Sequence, residues 1–235
     1  MLPVENRVVM LSGASGGVGR GILYCLLANG WRVSAGLRDI GGLDDLEARP
    51  DQLLCVPYDA ALPDAGQQWV AATIARFGAI DAVINVAGVL LPSRLEDEDE
   101  TALDQSWAIN FKAPLRVVRA AFPALRRAGH GRVINVSSLS GKRVANTNIA
   151  YAASKFAVTA MTHVIRREGW DDGIRATAIC PGFVNTPMVA GHVAVAPEDM
   201  TQPEDLAALT ELTLRMPNTA IVAEILVNCR LEASL

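Results

Sequence analysis

The sequence predicts an α/β fold: one doubly wound domain over residues 1–235, a mainly parallel seven-stranded sheet with helices on both faces. Three observations predict it. Short apolar runs alternate with longer amphipathic ones from end to end of the 235-residue chain. The short runs read as continuous Val/Ile/Leu segments, the pattern of strands buried on both faces of a sheet. Apolar residues make up 51% of the chain, enough to fill such a core.

In chain order, the candidate strands are "RVVML" (7–11), "RVSAG" (32–36), "LLCVP" (53–57), "DAVINV" (81–86), "RVINVS" (132–137), "RATAIC" (175–180) and "IVAEILV" (221–227). Helices are expected between them, near 17–28, 64–77, 101–127, 151–168 and 203–215. The first follows a glycine-rich turn. The third follows "EDEDE", Glu96 to Glu100, a solvated loop whose acids suit the positive end of a helix dipole. The fourth carries "YAASKFAVTAMTHVIRR". Residues 176–197 hold no charge and are long enough to span a membrane, but Pro181, Gly182, Asn185 and Pro187 break them into a strand and a loop. No repeat, linker or composition break divides the chain, so one doubly wound unit is expected.

Composition narrows the function. A net charge of −4 and the lack of a dense Lys/Arg run leave no footprint for nucleic acid. Cys25, Cys55, Cys180 and Cys229 are scattered without CxxC spacing, so reduced thiols are expected and no metal site. "MLPVENRVVM" lacks the basic start and apolar core of a signal peptide. A soluble, cytoplasmic protein without membrane attachment is the expectation.

"LSGASGGVGRGILYCLLANG" passes from strand to helix through Gly13, Gly16, Gly17 and Gly19. Such a turn needs positions without Cβ so that a pyrophosphate can approach the backbone, and the helix behind it offers unpaired N–H groups. Gly13, Gly17 and Gly19 fit G-x-x-x-G-x-G; Gly13, Gly16 and Gly19 fit G-x-x-G-x-x-G. Here the chain resembles the short-chain dehydrogenase/reductase family, whose single-domain members carry the first pattern after a Thr, replaced here by Ser12. The second belongs to longer members, for whose extra substrate domain 235 residues leave no room.

Tyr151 and Lys155 are four apart on a helical pattern, so they share one face, roughly 6 Å apart along the axis. A phenol with a pKa of about 10 exchanges protons poorly near neutrality. At an effective dielectric of about 20, a unit charge 6 Å away is worth roughly 2.8 kcal/mol, or about two pKa units. A tyrosine so placed suits proton exchange with an alcohol or carbonyl oxygen, and Ser138 suits holding that oxygen. Ser137 is the rival hydroxyl, one residue earlier and on the opposite face of a strand.

The resemblance extends over nearly the whole chain. "NVAG" matches the family's N-N-A-G with Asn85, Ala87 and Gly88, and Val86 replaces the second Asn. "PGFVNTP" (181–187) matches P-G-x-V-x-T. "WAINFKAPL" matches the segment whose asparagine, here Asn110, bends a helix around a water linking the active-site lysine to solvent. The resemblance implies a Rossmann-type NAD(P)-binding domain and a catalytic set of Asn110, Ser138, Tyr151 and Lys155. Tyr151 is then the acid/base, Lys155 lowers its pKa and binds the nicotinamide ribose, and Ser138 polarises the carbonyl. Cofactor contacts are implied for Ser12, Gly13, Ser15, Gly17, Val18, Gly19, Asn85, Ala87 and Gly88. They are implied as well for Tyr151, Lys155, Pro181, Gly182, Val184 and Thr186, with Asp59 at the adenine.

The end of the second strand selects the cofactor. "SAGLRD" has Leu37 where relatives using NAD carry Asp, and Arg38 follows, suited to a 2′-phosphate. NADP is therefore preferred, and NAD stays possible because Asp39 lies beside Arg38. A short substrate loop is expected near 187–202. Val89, Leu90, Leu139, Asn146, Phe183, Met188, Val189 and His192 are expected to form the substrate pocket. The expected activity is reduction of a small or medium carbonyl, or oxidation of the alcohol. The alternatives are a non-catalytic sensor of NADP(H) and an epimerase or dehydratase that recycles its nicotinamide. Helices 110–127 and 151–168 resemble those through which the family forms dimers and tetramers, so a homodimer or homotetramer is expected.

Overall fold

The computed structural model of the protein describes residues 1–190 and 193–232. Seven strands form one parallel sheet: β1 (Val8–Ser12), β2 (Arg32–Leu37), β3 (Leu53–Pro57), β4 (Ala82–Asn85), β5 (Arg132–Val136), β6 (Arg175–Pro181) and β7 (Glu224–Val227). Their order across the sheet is β3-β2-β1-β4-β5-β6-β7, so the direction of winding reverses between β1 and β4. A crevice opens beyond the carboxyl ends of the strands at such a reversal. The register aligns those ends: Ser12 pairs with Gly36 and Asn85, Asn85 with Asn135, and Val136 with Ile179.

The helices are α1 (Gly17–Ala28), α2 (Ala65–Phe77), α3 (Thr101–Ser106), α4 (Ala113–Ala128), α5 (Ile149–Glu168) and α6 (Pro203–Arg215). On one face of the sheet, α1 and α6 cover Val9, Leu11, Val33 and Ile84 with Ile22, Leu26, Leu206 and Leu214. On the other, α2, α4 and α5 cover Met10, Val83 and Val133 with Trp69, Val117, Leu125 and Ile165. Each large side chain buried this way stabilises the fold by about 1.5–3 kcal/mol, which is why near-continuous apolar strands are needed.

At the amino edge, three buried arginines tie the sheet to the last turn of α6 and the chain just after it. Arg7 Nη1 donates to Leu214 O at 3.1 Å, Arg132 Nη2 to Met216 O at 2.6 Å and Arg175 Nε to Asn218 O at 3.1 Å. Cations suit the negative end of a helix, and the guanidinium donors satisfy carbonyls that the helix leaves free.

Three elements differ from expectation by more than a single residue at an end, each for a local reason. α5 starts at Ile149 rather than at residue 151, because Asn148 Oδ1 accepts from Tyr151 N at 3.0 Å and caps the helix there. The segment expected as one helix over 101–127 is interrupted by a π-helical turn, Trp107–Lys112, around Asn110. β7 begins at Glu224, where pairing with β6 starts, so Ile221 to Ala223 are approach rather than strand. The acidic run Glu96 to Glu100 is exposed, and Asp99 accepts from Thr101 N at 2.9 Å at the start of α3.

Candidate active site

The crevice at the winding reversal holds a cavity of about 540 Å³. Its floor is the glycine turn between β1 and α1, where Gly13, Ser15, Gly16, Gly17 and Val18 line it. Gly13 has φ +72° and Gly17 φ +49°, both in the left-handed region that L side chains avoid. A Cβ on Gly19 would lie 2.0 Å from Gly13 O, so this glycine lets the helix pack under the turn and does not face the cavity. Ser12 is also beneath the lining. Its hydroxyl accepts from Val86 N at 3.1 Å and Ala87 N at 3.2 Å, joining the ends of β1 and β4.

One wall comes from the strand ends and the chain beyond them. Val86, Ala87, Gly88 and Val89 follow β4, and Val136, Ser137 and Ser138 end or follow β5. Asn85 is buried out of reach, donating to Asn135 Oδ1 at 2.8 Å. The opposite wall is Pro181, Gly182, Val184 and Thr186, continued by Pro187, Met188 and Val189.

Tyr151 and Lys155 enter the cavity from α5. Ser138 lines the cavity close to the Tyr151 phenol, and its Oγ donates to Pro181 O at 3.5 Å. Ser138 is itself fixed: its Oγ accepts from Ser140 N at 3.0 Å as the cap of a short 3-10 turn, Leu139–Gly141. Ser137 points away, donating to Lys155 O at 3.0 Å and meeting Thr159 Oγ1 at 2.8 Å. The two hydroxyls thus take different partners, although both residues lie past the end of β5 at Val136. Lys155 Nζ donates to Val136 O at 2.9 Å and sits 5.6 Å from the centre of the Tyr151 ring.

The electrostatics are set by burial more than by the pair. Burial pulls the Lys155 ammonium down to about 8, with the nearby Cys180 acting in the opposite sense. Burial pushes the Tyr151 phenol up, and the neighbouring Ser138 hydroxyl pulls it back. The two-unit lowering expected from helix spacing rests on an effective dielectric of about 20 and leaves out the burial of both groups. In the protein the ammonium is desolvated and turned toward a backbone carbonyl.

Asn110 uses its whole amide. Oδ1 accepts from Val89 N at 2.8 Å, while Nδ2 donates to Val89 O and to Ser154 Oγ, each at 3.0 Å. Ser154 Oγ in turn donates to Tyr151 O at 2.8 Å. One side chain thus ties the π-helical turn to the cavity wall and to the turn of α5 that carries Tyr151.

At the far end, Arg38 is exposed and lines the mouth. Asp39 is turned aside: its Oδ1 accepts from Gly41 N at 3.0 Å and caps a 3-10 turn, Ile40–Leu43. That turn is held on α1 by Arg20, which reaches Gly42 O at 3.4 Å and Tyr24 Oη at 2.9 Å and pairs with Asp45. Asp59, expected at the adenine, lies off the lining, and its Oδ1 accepts from Ala61 N at 2.9 Å.

Of the expected substrate residues, Val89, Met188 and Val189 line the cavity. Three do not. Leu139 is buried with Ala178 and Cys180, Asn146 is exposed with its amide on Asn148 N, and Phe183 faces Arg230. His192 lies outside the described residues. Lining by Val86, Val136 and Pro187 was not anticipated; for Val86 the signal was present, since it directly follows β4, a strand that flanks the winding reversal.

The pattern of the family described as short chain dehydrogenase matches residues 7–195. The chain is 38% identical over 231 residues to an agropine synthesis reductase of Rhizobium rhizogenes, covering 97% of this chain and 54% of that protein. It therefore spans about half the length of that relative. Among solved structures, a short-chain dehydrogenase/reductase (glucose/ribitol dehydrogenase) from Brucella melitensis superposes with a TM-score of 0.89 at 25% identity, covering 98% of this chain and 99% of the other. Levodione reductase superposes with a TM-score of 0.86 at 27% identity, covering 94% and 95%.

Proposed function

The chain belongs to the short-chain dehydrogenase/reductase family, and from that premise we propose that it is a cytoplasmic, homo-oligomeric carbonyl reductase or alcohol dehydrogenase that prefers NADP(H). The observation that carries the reading is the convergence of Ser138, Tyr151 and Lys155 on one cavity whose floor is a glycine turn. The residues fit a dinucleotide. Cβ atoms are missing where a pyrophosphate would approach the backbone, and a Cβ on Gly16 would meet nothing within 4 Å. The N-terminus of α1 supplies free N–H groups there. Gly13, Ser15, Gly17 and Val18 would hold the pyrophosphate side, and Thr186, Pro181 and Gly182 the nicotinamide side. NADP(H), when bound, supplies or accepts the hydride.

The chain's own groups do the rest. Ser138 fixes the substrate oxygen beside the Tyr151 hydroxyl, in a wall too apolar for water to compete well. Tyr151 donates its phenolic proton to that oxygen during reduction and takes it back during oxidation. Lys155 stabilises the phenolate by its charge and binds the ribose hydroxyls, and Asn110 holds the surrounding turn in place. Arg38 is favoured for a 2′-phosphate because Asp39, the competing ribose ligand, is committed to its own turn.

The test is a panel of aldehydes and ketones incubated with NADPH and, separately, NADH. The reading expects stoichiometric loss of NADPH with alcohol formed, and slower loss of NADH. Tight NADPH binding without turnover of any carbonyl would instead support a sensor.

A further inference from the structure

The run "IVAEILV" carries one charge, Glu224, among apolar residues. Glu224 opens β7 and pairs in register with Ala178 of β6. Its side chain is 19% exposed and holds two partners from different parts of the chain. Lys142 Nζ lies 3.0 Å from Oε1 and 2.8 Å from Oε2. His163 Nε2 lies 2.6 Å from Oε1, and because a carboxylate only accepts, that nitrogen carries the hydrogen. A pair sheltered to this degree is screened less by salt than one in open solvent.

The two partners belong to the two elements that carry the reacting hydroxyls. Lys142 caps the carboxyl end of the 3-10 turn Leu139–Gly141, and Ser138 caps its amino end. Lys142 N donates to Leu139 O and Gly141 N to Ser138 O, each at 2.9 Å, so a displacement of Lys142 is passed to Ser138 within one turn. His163 lies on α5, about two turns beyond Lys155, on the helix that also carries Tyr151. The 3-10 turn rests directly on that helix: a Cβ on Gly141 would meet Lys155 O at 2.6 Å. One carboxylate therefore joins the turn that holds Ser138 to the helix that holds Tyr151 and Lys155. Glu224, Lys142 and His163 are all absent from the cavity lining, so the carboxylate acts from outside it.

We propose that Glu224 is a positioning residue whose bridge from Lys142 to His163 fixes Ser138 relative to Tyr151 and so sets the rate of the chemical step. This rests on the oxidoreductase reading above. Proton transfer needs both hydroxyls within hydrogen-bond reach of one substrate oxygen. A misplacement of about 1 Å costs roughly a hundredfold in rate; the bridge is one of several ties on the turn, so its loss costs roughly tenfold. The glycine turn and Arg38 belong to β1, α1 and the end of β2, which the bridge does not touch. Cofactor affinity is therefore unaffected.

The test measures kcat and KM for a carbonyl from the panel above, NADPH affinity by fluorescence titration, and the urea midpoint of each preparation. It uses the parent chain, Glu224→Gln, Lys142→Met, Lys142→Arg and the double variant of Glu224→Gln with Lys142→Met. Glu224→Gln is expected to lower kcat about tenfold with NADPH affinity within about twofold of the parent. Lys142→Met lowers kcat in the same direction, Lys142→Arg keeps the pair and most of the rate, and the double variant falls no further than Glu224→Gln. Should Glu224→Gln fail to fold, Lys142→Met, which leaves Glu224 on His163, carries the test with an expected fall of roughly threefold. A kcat within about twofold of the parent in Lys142→Met and Glu224→Gln overturns the proposal. So do losses of rate and of NADPH affinity in equal proportion, or losses that multiply in the double variant. Each of these leaves the oxidoreductase reading standing, because the parent is active. A parent that reduces no carbonyl of the panel removes that reading, and the proposal falls with it.

Discussion

Lys155 holds an ammonium where the fold would prefer a neutral group, and replacing it by methionine measures the cost. Its pKa is drawn from 10.5 to about 8 by burial. That gap corresponds to roughly 3 kcal/mol of destabilisation whenever the lysine is charged in both the folded and unfolded chain. Methionine of similar length removes it but also removes the hydrogen bond to Val136 O, worth about 1 kcal/mol. The cofactor-free variant should therefore be more stable by roughly 2 kcal/mol at pH 7, a rise in Tm of about 4–8 °C for a chain of this size. The sign with pH follows from linkage. Below pH 8 both states of the parent bind the proton and the penalty is complete. Between 8 and 10.5 the unfolded chain keeps the proton that the folded chain has lost, so the parent gains stability as pH rises. The advantage of Lys155→Met should fall by about 2 kcal/mol between pH 7 and pH 9.5. Urea unfolding of both proteins at the two pH values measures this. A variant no more stable than its parent at pH 7, or an advantage independent of pH, would refute the reasoning. Loss of activity in the stabilised variant would place Lys155 among residues kept for function at a cost in stability.

Replacing Arg38 by Ala should weaken NADPH binding at least roughly tenfold, the loss of one charge-assisted pair, and leave NADH binding within about twofold; a fluorescence titration with each cofactor checks it. Gly19→Ala drives a methyl group into Gly13 O and should cost about 3 kcal/mol or more, seen as a lower urea midpoint together with lost cofactor binding. α5 exposes Phe156 and Val164, at 42% and 52%, on its outer face. A dimer or tetramer is expected in light scattering at micromolar protein, and Phe156→Glu should shift it toward monomer.

The strands were legible because burial on both faces demands unbroken apolar runs, and α1 and α6 matched their expected bounds. The interruption around Asn110 was not readable from periodicity, since a π turn shifts the helix by one residue without changing its apolar content. β7 was overextended because Ile221 and Val222 look like strand residues, whereas pairing with β6 begins only at Glu224. In the site, spacing was enough to bring Tyr151 and Lys155 into one cavity and to set Ser138 near the phenol. Spacing says nothing of desolvation, which raises the Tyr151 phenol in the folded chain. Leu139, Asn146 and Phe183 were assigned to the pocket from their places on loops, where nothing in a sequence fixes which way a side chain turns.

The central claim is that the Tyr151 phenol moves the proton, and Tyr151→Phe tests it most directly. Carbonyl-dependent NADPH loss and NADPH affinity should be measured on the same preparation. The account predicts turnover abolished, with affinity within about threefold of the parent, since only one hydroxyl has been removed from the cavity. Turnover within tenfold of the parent would contradict it and require another proton donor.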